Sequence, residues 1–441
     1  MTSTSVRWHK KEDSWAIILG LGLIVVATLL FFANGAAILK LFSFKVPSWQ
    51  TAANLPEVLL AVAQPAVLLY VLLGTILTIG ASYLGFSRRA YFKGFTVLYV
   101  LALIVTILAG NSLAKAAQIE SPLMALFVGL LISNLVKLPS WFTEALRTEY
   151  YVKTGIILMG ATLPLTIILQ AGPAAIGQAL IVSVVTFSSI YLAATRIFDL
   201  DKRFAACLGA GGSICGVSGA IAIGGACRAR QEHVSVAISL VIVWAVIMIF
   251  ALPAASFALD LHPGIAGAWI GTSEFADAAG FAAAQAIGHE AAIRAFTLMK
   301  VVGRDMFVGV WAFIVAILSV TVWERQHVKD SERIDKREIW NRFPKFIVGF
   351  FLASIVTSLV IASLDTAQGA AYSKGILGLL KELRGWFFVL TFLSIGLTTR
   401  FKDLTSVGYK PFLAFAIGVA INVPLGYFLS TSVFDHFWIQ L

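Results

Sequence analysis

The stretch GAGGSICGVSGAIAIGGACRAR, residues 209–230, holds seven glycines in the 17 residues from Gly209 to Gly225, yet it lies between long apolar runs. Glycine is a weak helix former, so this composition is poor material for a simple lipid-facing helix. Lipid forbids irregular backbone unless it is buried in protein or lines an aqueous cavity, because each unsatisfied amide costs several kcal/mol. The segment therefore reads as a broken or re-entrant helix at membrane depth, built to hold a solute. Close helix packing through small residues is the plainer reading of the same glycines.

The flanking sequence supplies the membrane. The 441 residues are 59% hydrophobic and 13% charged, with a mean hydropathy of +0.89, which sets the chain apart from soluble domains. Trp15–Ala33, Gly94–Leu113 and Val234–Ala251 reach the roughly 20 apolar residues that a bilayer core requires. Further spans are expected over Glu57–Leu84, Pro122–Val136, Tyr151–Gln170, Ala174–Arg196, Ala291–Val322, Phe346–Ile361, Gly375–Leu397 and Pro411–Leu429. The first run follows Arg7, Lys10 and Lys11 as a signal peptide would, but its 19 residues exceed the usual h-region of about 7–15. It is expected to stay as an uncleaved span.

The formal charge of +10 sits in short loops beside spans, which is topology control and implies no nucleic-acid partner. Arg7/Lys10/Lys11, Arg88/Arg89/Lys93, Lys137/Arg147/Lys153, Arg196/Lys202/Arg203 and the block from Glu324 to Lys345 are all expected in the cytoplasm, with the N-terminus. The three cysteines, Cys207, Cys215 and Cys227, have no CxxC spacing and an odd count. They read as small packing residues rather than a disulfide framework.

Besides Gly209–Ala226, a second difficult stretch, Gly264–Gly288, contains GTSEFADAAGFAAAQAIGHE from Gly271, with Glu274 and Asp277. Three apart, they would share one face of a helical arm and could serve a proton or a sodium ion. Lys300, Arg304 and Asp305 follow inside an apolar span; the two cations are i, i+4 neighbours, whereas Asp305 lies well round the helix. If both difficult stretches are re-entrant hairpins, Arg228 and Arg230 stay cytoplasmic and the positive-inside rule holds throughout; if both are broken spanning helices, those arginines lie outside. An internal repeat pairs GIILMGATLPLTIILQAGPAAIG, from Gly155, with LSIGLTTRFKDLTSVGYKPFLAF, from Leu393, matching Gly160 with Gly396, Thr162 with Thr398 and Gly172 with Gly408. The copies lie an odd number of crossings apart, so they run in opposite directions, the pattern of secondary transporters.

Other chemistries lack their equipment. There is no Walker lysine motif and no HExxH, and GVSGA has no strand–turn–helix context for a serine nucleophile. An enzyme is not expected, nor a bound cofactor or metal beyond Na⁺ as a coupling ion.

At GAGGSICGVSGAIA the chain resembles the YeiH-type sulfate exporter family of bacterial membrane proteins, through Gly209, Ala210, Gly211, Ser213, Ile214, Cys215, Gly216 and Ala220. GIILMG from Gly155, IGLTT from Ile395 and the Lys300 region are also similar, and the resemblance covers roughly residues 120 to 430. It implies a relative of the cation:proton antiporter and anion transporter group, with inverted halves, a scaffold, a transport part and elevator-like motion. Three departures stand out. Phe275 and Ala276 replace the family's His–acidic pair, with the carboxylates displaced to Glu274 and Asp277. The family's Lys-x-x-Arg becomes Lys300-x-x-x-Arg304, an arginine shifted about 100° around a helix. About 90 additional N-terminal residues precede the shared part.

The expectation is an all-α polytopic transporter with inverted repeats, extra spans over residues 1–118 and a core over 119–441. It would carry a small anion, sulfate or an organosulfonate, coupled to H⁺ or Na⁺ in the bacterial cytoplasmic membrane, as a homodimer. A carrier of a carboxylate, cation or neutral solute on the same fold, or a channel, are the alternatives. Solute contacts are assigned to Gly211, Gly212, Ser213, Cys215, Gly216, Ser218, Thr162 and Thr398. Ion coupling and charge balance are assigned to Glu274, Asp277, Lys300, Arg304 and Asp305.

Overall fold

The computed structural model describes residues 11–33, 38, 41–42, 44–116, 121–163, 165–319, 323, 345–400 and 408–441. Arg7, Lys10 and residues 324–344 of the charged block lie outside the described residues, as do positions 401–407 of the second repeat copy and the side chain of Ser218. The helices that matter are, in order, α1 Glu12–Phe32, α2 Leu55–Tyr83, α3 Arg88–Ala109, α4 Ser121–Leu135, α5 Thr148–Thr162, α6 Leu165–Leu192, α7 Lys202–Ser213, α8 Val217–Ala226, α9 Gln231–Ala258, α10 Pro263–Ser273, α11 Asp277–Ala286, α12 Glu290–Leu318, α13 Lys345–Ser363, α14 Gly378–Thr398 and α15 Tyr409–Phe428. Among the described residues, eight helices are long and apolar enough to cross a membrane. The protein is all-helical and multi-pass.

One pair of expected spans is redrawn. Instead of a break near Pro173, α5 stops at Thr162 and α6 runs unbroken from Leu165 to Leu192 with Pro173 inside it. Leu163, which precedes Pro164 in sequence, is extended at φ −107° and ψ 108°, because the residue before a proline is steered out of the helical region. A proline within a long helix removes one backbone bond and bends it, which membrane helices tolerate.

The chain folds into two compact units, Met1–Thr166 with Lys345–Arg400, and Ile167–Pro344 with Phe401–Leu441. In the first, α5 is buried along nearly its whole length. Gly155 meets the Phe388 ring and Thr162 meets Arg384, so α5 and α14 run antiparallel. Gly160 lets the backbone of Phe350 in α13 approach, and Gly396 in α14 does the same for Gly129 and Leu130 of α4. Ser133 Oγ then donates to the carbonyls of Gly396 at 2.8 Å and Thr399 at 2.7 Å. At the start of α1, Glu12 pairs with Arg147 and Asp13 with Lys153. The helices before residue 118 share this unit with α4, α5, α13 and α14.

The second unit is organised by α9. Asp201 caps α7 by accepting from the amides of Arg203 and Phe204, and the 12 residues that follow span about 18 Å at 1.5 Å each, little more than half of a roughly 30 Å bilayer core. The chain then turns at Ile214–Gly216 and returns along α8. Arg203 Nη1 donates to the carbonyl of Arg228 at 3.2 Å, so the two open ends lie side by side. Residues 202–228 form a helical hairpin.

The other difficult stretch behaves alike. Gly267 faces Ala292, and Gly271 faces Phe296 and Met299, so α10 and α12 run in the same direction. Phe281 stacks edge-on against Phe296 with ring centroids 4.7 Å apart, which brings α11 back to the level where α12 begins. This second hairpin opens at the far end of α9 from the first, and that helix has 28 residues. The two hairpins therefore open at opposite ends of α9.

Candidate functional site

The hairpin tips meet. Gly216, at φ 63° and ψ −117°, packs against the carbonyl of Phe275 so closely that a Cβ would overlap it. Each tip is a place where one half-helix ends and another begins. Carbonyls left over at the ends of α7 and α10 need donors, and the first-turn amides of α8 and α11 need acceptors.

The α12 span supplies the donors. Arg304 Nε donates to Ser213 O at 3.2 Å and Nη2 to Gly212 O at 3.4 Å, while Nη1 reaches Gly271 O, Thr272 O and Glu274 O at 3.1, 2.9 and 3.0 Å. Lys300 Nζ donates to Ile214 O at 3.2 Å and Glu274 O at 3.3 Å, and stands 3.5 Å from Asp277 Oδ1. Both cations are buried and join one tip to the other. They also lie where the macrodipoles of α7 and α10 are negative. The turn that carries them, Leu298–Arg304, is π-wound rather than α-helical, a local widening frequent at functional sites.

The acceptor side is uneven. At α11, Glu274 accepts from the amides of Phe275 at 2.7 Å and Ala276 at 3.4 Å, and Asp277 opens the helix. At α8 the N-cap is Gly216, which has no side chain to offer the first-turn amides. Ser213 Oγ, buried beside this turn in sequence, has no hydrogen-bond partner among the described residues.

Two expectations are corrected here. Glu274 and Asp277 do not share a helical face; they flank the break, because Glu274 and Ala276 are extended and the helix restarts at Asp277. Gly211 and Gly212 lie in the body of α7, whose tip end presents carbonyls rather than amides, so helix direction denies them the donor role. Their missing side chains instead let Val241 and Ile190 pack close. Cys215 is buried in an apolar cluster with Ile214, Phe187 and Val308. Asp305 is buried beside Arg304. Thr162 and Thr398 belong to the first unit, where Thr162 Oγ1 accepts from Arg384 at 3.1 Å and Thr398 Oγ1 donates to Ser394 O at 2.8 Å.

The structure adds polar residues that the sequence reading passed over. Ser183 Oγ donates to Ser213 O at 2.9 Å, and Asn422 Nδ2 donates to Thr186 Oγ1 at 2.9 Å and Thr272 O at 3.1 Å. Asn422 stands alone in its apolar run, whereas Ser183 and Thr186 share theirs with Ser188 and Ser189; a single buried amide such as Asn422 was the available signal.

A multi-pass helical membrane protein, with one unit built on two helical hairpins whose tips meet, is the class that this fold and site define. The chain belongs to the Conserved hypothetical protein 698 family, whose model matches residues 93–415. A UPF0324 membrane protein of Rhodopirellula baltica is 37% identical over 77% of this chain and 62% of its own length. One from Nitratidesulfovibrio vulgaris is 32% identical over 68% of this chain and 79% of its own, and one from Nitrosomonas europaea is 28% identical over 97% of each. The chain spans 62% of the length of the Rhodopirellula relative and of two further Nitratidesulfovibrio relatives. No solved structure matches.

Proposed function

We propose that the chain is a secondary active transporter of a small anion, sulfate or an organosulfonate, coupled to H⁺ or Na⁺. The observation that carries this reading is the meeting of two helical-hairpin tips around buried Glu274, Lys300 and Arg304, with Asp305 buried next to Arg304, in a chain of membrane-length apolar helices. Discontinuous helices with ionisable residues between them are how carriers bind a charged solute within a bilayer. The first-turn amides of α8, with Ser213 Oγ and the Ser218 residue, form the positive end suited to a sulfate or sulfonate oxygen. Glu274, Asp277 and Asp305 supply the negative charge that ion coupling draws on, while Lys300 and Arg304 balance it and complement the helix C-termini. The antiparallel α5 and α14 and the opposed hairpins support an inverted repeat, with the hairpin-bearing unit moving in an elevator-like cycle between scaffold contacts. The protein is read as a homodimer in the bacterial cytoplasmic membrane, with its N-terminus in the cytoplasm.

One observation favours the rival that handles a cation. Three carboxylates, Glu274, Asp277 and Asp305, face two cations, Lys300 and Arg304, leaving one formal negative charge at the tips. A counterflow assay in proteoliposomes across sulfate, sulfonates, carboxylates, small cations and neutral solutes separates the two. Ser213→Ala is expected to slow sulfate or sulfonate counterflow about tenfold, the worth of one hydrogen bond, with reconstituted protein unchanged. Wild-type counterflow in the Ser213→Ala/Ser218→Ala pair would remove the anion site from this turn.

A further inference from the structure

One half of the buried Asn422 amide is fully used, and the other half has no partner among the described residues. Its Nδ2 serves Thr186 Oγ1 and Thr272 O, whereas its Oδ1 has no hydrogen-bond partner among the described residues, and the side chain is fully buried. The orientation is fixed by chemistry: turning the amide over would set its oxygen against the Thr272 carbonyl. A buried carbonyl oxygen without a donor is unfavourable, and in a native fold such an orphan asks for a water or an ion.

The surroundings distinguish the two. One turn along α15, at Gly426, a Cβ would overlap Thr272 Oγ1 and approach Ser273 Oγ to 2.7 Å, so both hydroxyls lie against the face that carries Asn422. Thr272 Oγ1 gives its own proton to Trp269 O at 2.7 Å and accepts from Ser273 Oγ at 3.2 Å, which leaves it one lone pair and leaves Ser273 Oγ both of its own. These oxygens gather at the C-terminal end of α10, where the helix dipole is negative, and half-helix C-terminal ends are where carriers seat small cations. None of the groups titrates near neutral pH, so the cluster cannot store a proton.

We propose that Asn422 Oδ1, with the hydroxyl oxygens of Thr186, Thr272 and Ser273, is a binding site for Na⁺. Calling that ion the coupling ion rests on the transport reading; the binding does not. The site also selects Na⁺ over H⁺ as the driving ion, because its donors are neutral oxygens.

The test is thermal unfolding of the purified full chain in detergent, in NaCl, KCl and choline chloride at matched ionic strength. The wild-type protein is expected to gain a saturable stabilisation of a few degrees in NaCl, in line with ligand linkage. Asn422→Ala is expected to lose that gain while unfolding cooperatively in choline chloride. Should Asn422→Ala not fold, Thr186→Val and Asn422→Asp keep the question open to refutation: the first should raise the Na⁺ concentration at half-effect about tenfold or more, and the second, which retains an oxygen, should keep the gain. Equal unfolding of the wild type in NaCl and choline chloride, or an unchanged Na⁺ midpoint in Asn422→Ala or Thr186→Val, overturns the site in favour of an ordered water. A Na⁺ gain that depends on Asn422, without Na⁺-driven flux of any solute in proteoliposomes, supports the site and sinks the transport reading instead.

Discussion

Arg304→Ala is expected to abolish solute flux and to unfold the hairpin unit in all but the mildest detergents. The guanidinium donates to five carbonyls, two from the first tip and three from the second. A hydrogen bond to a charged group contributes about 1.5–3 kcal/mol, but five on one side chain do not add. Breaking a buried charge cluster by deleting one member costs about 3–5 kcal/mol, set against a total stability of roughly 5–15 kcal/mol. Arg304→Lys keeps the charge but replaces a planar fork with a point donor, which cannot reach Gly212 O and Gly271 O together. It is expected to restore much of the melting temperature and little of the flux. Thermal unfolding and counterflow on the three proteins check this, and a wild-type melting temperature in Arg304→Ala would mean that packing alone holds the tips together.

The sequence made the membrane class legible because apolar runs near bilayer length are a one-dimensional signal: α1, α2, α13 and α15 follow their expected runs closely, whereas α3 and α9 are displaced or longer by six or seven residues at one end. It also marked residues 209–226 and 264–288 as irregular, since glycine and alanine density is visible without coordinates. Direction was less accessible. Whether the first segment crosses or returns depends on Arg203 meeting Arg228, a contact between residues that the sequence places 25 positions apart. The misplaced break at Pro173 has the same origin: two prolines nine residues apart offer equal local signals, and only the conformation of Leu163 selects between them. At the site, residue types pointed to Glu274, Asp277, Lys300, Arg304 and Asp305, because charge in an apolar context is conspicuous. The carbonyl partners of Lys300 and Arg304 were hidden, as backbone has no letter of its own. Asn422 and Thr186 were hidden too, because one polar residue in a span is as compatible with a packing bond as with a ligand.

Gly216→Ala is the second substitution with a large expected effect, and it tests the tip contact without touching a charge. At φ 63° and ψ −117° the position lies where glycine is tolerated and an L side chain is strained, and holding alanine there costs about 1–3 kcal/mol. The new methyl would also overlap Phe275 O and stand 3.0 Å from Val241 Cγ1. Phe275 cannot retreat freely, because the neighbouring Glu274 carbonyl is held by both Lys300 and Arg304. The methyl must therefore push the start of α8 away, and with it the first-turn amides assigned to the solute. Flux should fall further than stability, to background, while the melting temperature drops by several degrees. Gly378→Ala in α14 is the matched control: its Cβ meets nothing within 4 Å, and alanine in a helix is favoured over glycine by about 0.5–1 kcal/mol. Equal flux in the two variants would separate the tip contact from transport, because both add one methyl to a membrane-embedded helical protein and only one of them displaces a hairpin.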